Sequence, residues 1–256
     1  MIETILAPNP SPFTLDGTRT HIVDGQAIID PGPAIESHIE RVVAAAPRAR
    51  WILITHRHAD HAPAAPIVAL RTGAQVAAPR GVFQPPLPDR ELRDGDLFQL
   101  GSVTLKTIAT PGHTSESVSF ISSDGDLFSG DTILGQGTTA IFPPDGTMKD
   151  YLESLQKLRL LAPRRLYPGH GPNRDGAVEV IDEYIEHRRM RETQIRDFIS
   201  KGVTTLDGLR RRIYPDLDPS LTGAAETQVS AHIDHLTERN IIANIDGKFT
   251  LVKELH

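Results

Sequence analysis

The chain has 256 residues, 39% of them hydrophobic and 23% charged with both signs interspersed, which suffices for a large α/β core and excludes a disordered chain. A net charge of −6 and a pI near 6.0 exclude a broad basic face for nucleic acid, though not a local basic groove. The absence of cysteine excludes disulfides, thiolate catalysis and sulfur ligation, so any metal must be held by nitrogen and oxygen.

No basic segment followed by an apolar stretch opens the chain, and no run approaches a membrane span, so a cytoplasmic, non-membrane protein is expected. Short apolar runs at 4–7, 20–25 and 27–32, broken by Asp, Gly and Pro, predict strands and tight turns. Residues 34–46 place Ile35, Ile39, Val42, Val43 and Ala46 at helical spacing, closed by Pro47. The continuous apolar run WILIT (51–55) is too short for a helix and reads as a buried strand. A helix over about 62–72 ends at Gly73, and strands follow at 74–78, 97–100, 103–109, 117–122 and 126–129. Alternation between the two periods predicts an α/β protein with sheets covered by helices.

The second half turns helical. Residues 150–161 carry Leu152, Leu155, Leu158 and Leu161 on one side, and a short strand follows in RRLYP (164–168). The longest helix, 175–200, has Ile181, Ile185, Ile195, Phe198 and Ile199 on its apolar side, and its run EHRRMRE (186–192) reads as a solvated face. From residue 203 the pattern is helix (204–214), helix (224–240) and hairpin (241–252) turning at Asp246-Gly247, a winged-helix-like unit. Two domains are therefore expected, 1–202 and 203–256. Six basic against eight acidic residues leave 203–256 at −2, which argues against phosphate-backbone binding and leaves packing or dimer contact as its role.

Three of the eleven histidines fall in THRHADH, directly after the buried strand. In extended chain His56, His58 and Asp60 share one face, and His61 joins them if the chain then bends. On its own, such a run is also compatible with a solvated loop. Three further strand ends carry the same residue types: TPGHTSES presents His113, LFSGDTILG presents Asp131 and LYPGHGPN presents His170. In two of them a Pro-Gly turn stops the strand and leaves room for close backbone approach. Four strand ends offering His or Asp point to one shared site. Thr55, Thr114 and Thr132 adjoin these residues and are candidates to hold them. His21, His38, His187, His232 and His235 read as surface or packing residues, and His256 is the chain end. GQGTT (135–139) lacks the features of a phosphate loop and is a candidate pocket wall.

The set His56-x-His58-x-Asp60-His61, His113, Asp131 and His170 resembles the metallo-β-lactamase superfamily, in order and in its gaps of 52, 18 and 39 residues, over about residues 1–172. PNPSPFTLDGT, GDTILGQGTT, YPGHGP, YIEHRRMRETQI and the C-terminal unit further resemble its β-lactamase-like protein 2 group of metallohydrolases. The resemblance implies an αββα sandwich with a dinuclear site along one edge of the two sheets. It assigns His56, His58 and His113 to one metal and Asp60, His61 and His170 to a second, with Asp131 bridging. Nitrogen and carboxylate donors suit two zinc ions, with manganese or iron as alternatives for the same donors. The missing cysteine and the presence of Asp131 and His58 separate the chain from the thiolate lactamases, the all-histidine lactamases and the flavodiiron proteins, and the short Asp131–His170 gap separates it from the larger nucleases.

These assignments imply a hydrolase in which a metal-bridging hydroxide attacks an ester, thioester, lactone or phosphodiester, with Asp60 and Asp131 catalytic. Two readings compete over the partner: a small molecule, or the single-stranded RNA implied by the β-lactamase-like protein 2 group, with Arg188, Arg189 and Arg191 lining its approach. A mononuclear iron persulfide-type oxygenase is a second class, and a non-catalytic interaction protein a third.

Overall fold

The computed structural model describes residues 1–252, so the expectations that touch Lys253, Glu254 and His256 fall outside the described residues. Two six-stranded sheets form the centre. The first runs in the order β1 (Ile2–Leu6), β2 (Arg19–Val23), β3 (Ala27–Ile29), β4 (Trp51–Leu53), β5 (Gln75–Ala78), β6 (Arg90–Glu91). The second runs β12 (Arg174–Asp175), β11 (Arg165–Pro168), β10 (Asp126–Gly130), β9 (Val118–Ser122), β8 (Val103–Ala109), β7 (Leu97–Leu100). β3 to β6 are parallel, as are β10 and β11; every other pair is antiparallel.

The period of two explains the layering. Ala27, Ile29 and Leu53 point between the sheets, where they meet Phe98, Leu100, Leu105, Val118, Phe120 and Phe128 of the second sheet. Their neighbours Ile28 and Ile52 point outward and pack under Ile39 and Val42 of α1 (Glu36–Ala45) and Val68 of α2 (Ala65–Thr72). On the far side, Ile108, Leu127 and Leu166 pack under Tyr151, Leu155 and Leu158 of α3 (Met148–Leu160) and Val180, Ile181 and Tyr184 of α4 (Ala177–Ser200). The result is the expected αββα sandwich.

The C-terminal unit has α5 (Leu206–Ile213), a 3₁₀ turn (Pro219–Leu221), α6 (Thr222–Glu238) and the hairpin β13 (Ile242–Ile245)–β14 (Lys248–Leu251). Its core of Leu209, Val229, Ile233, Leu236 and Ile242 also contains Ile195 and Ile199, so the last turns of α4 belong to this core as much as to the sandwich. Here one expectation fails. Arg188 and Glu192, in the run read as solvated, are buried: Glu192 meets His232 and His235 of α6, and Arg188 lies against Thr139 and Tyr151. Glu192 Oε1 lies 2.6 Å from Nδ1 of His235, and Arg188 stacks 5.1 Å from the Tyr151 ring. The edge strands β6 and β12 were not anticipated; at two residues each they carry no periodicity. Among the described residues no helix is long and apolar enough to cross a membrane.

Candidate metal centre

Five strands of the two sheets end at one edge of the sandwich, and each hands the chain a polar side chain. Asp30 follows β3, His56 to His61 follow β4, His113 follows β8, Asp131 follows β10 and His170 follows β11. Backbone bonds tie the sheets together at this edge: Val118 N–H donates to Thr55 O (2.9 Å) and Arg19 N–H to Gly169 O (2.7 Å). The Pro-Gly turns do what the sequence suggests. A Cβ on Gly169 would sit 2.5 Å from Asp131 Oδ1 and 2.6 Å from the His61 ring. One on Gly112 would sit 2.3 Å from Tyr151 Cα. Only glycine lets these loops close in.

All seven predicted residues meet, in two groups. In the first, His58 Nδ1 lies 3.0 Å from His56 Nε2 and 3.1 Å from His113 Nε2. In the second, His61 and His170 face each other Nε2 to Nε2 at 3.3 Å, and Asp60 Oδ2 lies 3.3 Å and 3.1 Å from them. Asp131 stands between: its carboxylate is 3.9 and 3.8 Å from the Nε2 atoms of His56 and His113, and 3.4 and 3.3 Å from those of His61 and His170.

The other ring nitrogens show why these atoms converge. His113 Nδ1 donates to the Ala140 carbonyl (2.8 Å), His170 Nδ1 to the Gly17 carbonyl (3.2 Å) and His61 Nδ1 to Asp30 Oδ2 (2.8 Å). His56 Nδ1 lies 3.0 Å from Thr55 Oγ1, whose own proton goes to Asp30 Oδ2 (2.6 Å). Each of these rings therefore keeps a proton on Nδ1 and turns its Nε2 inward. The Nε2 atoms of His56 and His113 both meet His58 Nδ1, which has at most one proton to share between them, whereas a cation satisfies all three nitrogens at once. Tetrahedral zinc with bonds of about 2.0–2.1 Å spaces its nitrogen ligands by about 3.3 Å, close to what is observed. Asp131 Oδ1 is buried and accepts no hydrogen bond, a second sign of a place for a cation. The donor set fits.

Electrostatics divides the groups. Burial, then the neighbouring His61, pushes the His56 ring well below the usual histidine range; burial and His113 lower His58 as well. Burial also resists charge on His61 and His170, but Asp131, with Asp30 and Asp60 for His61 and with Asp60 for His170, outweighs it. His61 is held well above its ordinary value and His170 at about 9. Burial would raise Asp60 and Asp131, yet the facing imidazoles, His61 foremost, bring both below the usual carboxylate range.

Asp30 is the residue that sequence reasoning missed. It also lies close enough to His56 and His61 to form a metal-type cluster with them. Both its oxygens are taken, however: Oδ1 by Thr55 N–H (2.8 Å), Oδ2 by Thr55 Oγ1 and His61. It supports ligands instead of being one. Of the three threonines, Thr55 touches a ligand side chain; Thr114 pairs with Ser117 and Thr132 with Thr110. Arg57, which points away between His56 and His58, is tied to Glu116 (2.6 Å) and Asp145 (2.5 Å) and fixes the segment from outside.

A cavity of about 510 Å³ opens over His58, Asp60, His113, Asp131 and His170. Gln136 to Thr139 form part of its wall, as GQGTT suggested, and Phe13, Leu15, Leu134 and Phe142 supply an apolar side; among the described residues no Lys or Arg lines it. The arginines of α4 do not line an approach: Arg188 is buried under the wall, Arg189 is solvent-exposed, and Arg191 stacks 4.8 Å from the Tyr214 ring.

The family description "Metallo-beta-lactamase superfamily" matches residues 22–170, and "Beta-lactamase associated winged helix domain" matches 205–248. The chain is 33% identical to a beta-lactamase-like protein 2 homolog of Caenorhabditis elegans, over 95% of this chain and 86% of that one. It is 28% identical to an atrochrysone carboxyl ACP thioesterase of Aspergillus fumigatus, over 76% of this chain and 63% of the relative. A crystal structure of a beta-lactamase domain protein from Burkholderia ambifaria superposes with a TM-score of 0.85 at 20% identity, covering 98% and 91% of the two chains. With a match over more than half its length and a C-terminal domain of the associated type, the chain belongs to the metallo-β-lactamase superfamily.

Proposed function

We propose that the protein is a two-metal hydrolase that opens an ester, thioester or lactone in a small molecule with an apolar body. The carrying observation is Asp131, whose carboxylate lies within 4 Å of ring nitrogens from both ligand groups. His56, His58 and His113 would hold one ion and Asp60, His61 and His170 the other, with zinc the ion best suited to the donors. When bound, such a pair supplies Lewis acidity and a water activated at neutral pH.

The chain's own groups do the rest. Asp60 is partly exposed at the cavity floor, is held by Thr18 Oγ1 (2.8 Å) and stays ionised, so it orients the attacking water and takes its proton. Asp30 and the carbonyls of Gly17 and Ala140 keep the ligand rings in one tautomer. Phe13, Leu15, Leu134 and Phe142 bury the apolar part of the substrate and exclude water around the reacting carbonyl.

Several observations favour this over RNA. Tracking a phosphate chain needs cationic and stacking side chains along a groove, and among the described residues no Lys or Arg lines the cavity. In the winged unit Arg210 pairs with Asp207 and Glu226, and Arg211 with Asp207. A mononuclear site would leave the second set of donors without a purpose, which favours two ions over one. The thioesterase relative supports a carbonyl substrate. The test is a panel of acyl esters, acyl thioesters, lactones and single-stranded RNA, assayed on zinc-loaded wild type and on His58→Ala. Turnover of an acyl substrate, rising with acyl length and lost in His58→Ala, is expected. Cleavage of RNA alone would replace this substrate reading.

A further inference from the structure

Residues 136–140 and Phe142 line one wall of the cavity, and the segment 135–142 touches three of the seven candidate ligand residues. Gly135 N–H donates to the His170 carbonyl (2.8 Å), Thr139 Oγ1 donates to the Asp131 carbonyl (2.9 Å), and the Ala140 carbonyl accepts from His113 Nδ1 (2.8 Å). The wall is in turn held from behind. Arg188 of α4 donates through Nη2 to the Thr139 carbonyl (2.5 Å), and Ile141 N–H donates to Oε1 of Gln228 in α6 (2.9 Å).

The last bond has a particular consequence. The Ala140 carbonyl and the Ile141 N–H belong to the same peptide unit, which is planar. One side chain, Gln228, accepts from its N–H; one ligand ring, His113, donates to its C=O. Fixing the N–H end therefore fixes the direction of the carbonyl that orients His113. Hydrogen bonds in series also polarise one another, so acceptance at the N–H makes the carbonyl a better partner for Nδ1–H. A stronger bond at Nδ1 makes Nε2 a better donor to a metal. The chain Gln228–(Ile141 N–H, Ala140 C=O)–His113 runs from the winged unit to the metal centre through a single peptide. Thr139 and Ile141 are themselves buried, so water does not replace these bonds.

We infer that Gln228 is a positioning residue, through which the C-terminal winged unit completes the metal centre by holding the Ala140–Ile141 peptide against His113. Arg188 supports it by fixing the preceding peptide. The unit is thus an arm of the active site. The consequence for metal affinity rests on the two-metal reading; the contact with His113 does not.

The test compares Gln228→Met, which keeps length and removes the acceptor, with Gln228→Glu, which keeps an acceptor oxygen. Both are made in the full chain and checked by thermal melting, with Gln228→Ala in place of Gln228→Met should that variant not fold. In metal-free protein, nitrogen-15 NMR of the histidine rings reads His113 Nδ1, and hydrogen exchange reads the Ile141 amide. Gln228→Met is expected to shift the His113 resonance and speed Ile141 exchange, and Gln228→Glu to restore both towards wild type. In a zinc titration, Gln228→Met weakens one of two equivalents by about 10–100-fold, the usual cost of losing a ligand's supporting partner, and leaves the other within about twofold. An unmoved His113 resonance in Gln228→Met overturns the inference. So does a loss shared equally by Gln228→Met and Gln228→Glu. Should wild type bind no zinc, the two-metal reading fails while the metal-free measurements still decide the role of Gln228.

Discussion

The two ligand groups use the same side chain to opposite electrical ends. In the first, His56, His58 and His113 face one another, and burial together with neighbouring rings lowers His56 and His58, so these two stay neutral. His61 and His170 face Asp60 and Asp131, with Asp30 behind His61, and these carboxylates hold protons on them. The first group is ready for a cation, whereas the second carries its own positive charge and must release protons to accept one. What separates them is which residue type the strand ends place opposite each ring.

The largest effect should come from removing what the groups share. Asp131→Ala is expected to lower turnover by about a thousandfold or more, because one carboxylate serves both sides; unchanged turnover would break the comparison at its centre. Next is pH. Since the His170 ring sits at about 9, it is protonated below that value, and binding must displace the proton. With His61 protonated as well, zinc affinity of the second group should therefore fall by about tenfold per pH unit for each proton displaced as pH drops from 8 to 6. Calorimetry on His58→Ala, which retains the second group, should show this slope, and His61→Ala a shallower one; equal slopes would erase the distinction. Asp30→Asn keeps the shape but weakens the direct bond to His61, and should cost the second group about tenfold in zinc affinity and the first, reached only through Thr55 and His56, less.

The smallest effect lies away from the metals. Glu192 is held at about 2 against an ordinary 4.5: burial opposes its charge, but the nearby His232 ring (3.9 Å) and the hydrogen bond with His235 outweigh that. A lowered carboxyl value stabilises the fold above pH 4.5, and the benefit is lost as pH falls towards 2. Glu192→Gln should lower stability at pH 7 by on the order of 1–3 kcal/mol, with the difference from wild type shrinking at pH 3. A constant difference in denaturant midpoints would contradict this assignment.

Much of this was legible in the chain. WILIT followed by HRHADH gives a buried strand and alternating ligands, and the Pro-Gly turns before His113 and His170 mark loops that must approach closely. The seven candidate ligand residues follow from those local signals and the resemblance together. Asp30 was not visible, because DPG at 30–32 reads as an ordinary turn and its partner His61 lies 31 residues away. The burial of Arg188 had a signal that charge obscured: it stands three and seven residues after Ile185 and Ile181, on the apolar face of α4. Gln228 gave none. A glutamine on an amphipathic helix becomes meaningful only when folding brings Ile141 to it.

The most direct test of the two-group account is zinc analysis of three proteins, stripped with chelator, reloaded and freed of excess: wild type, His58→Ala and His61→Ala. Two equivalents in wild type and one in each variant are predicted, each variant keeping the ion of its intact group. One equivalent or none in wild type, or two retained in either variant, would contradict it.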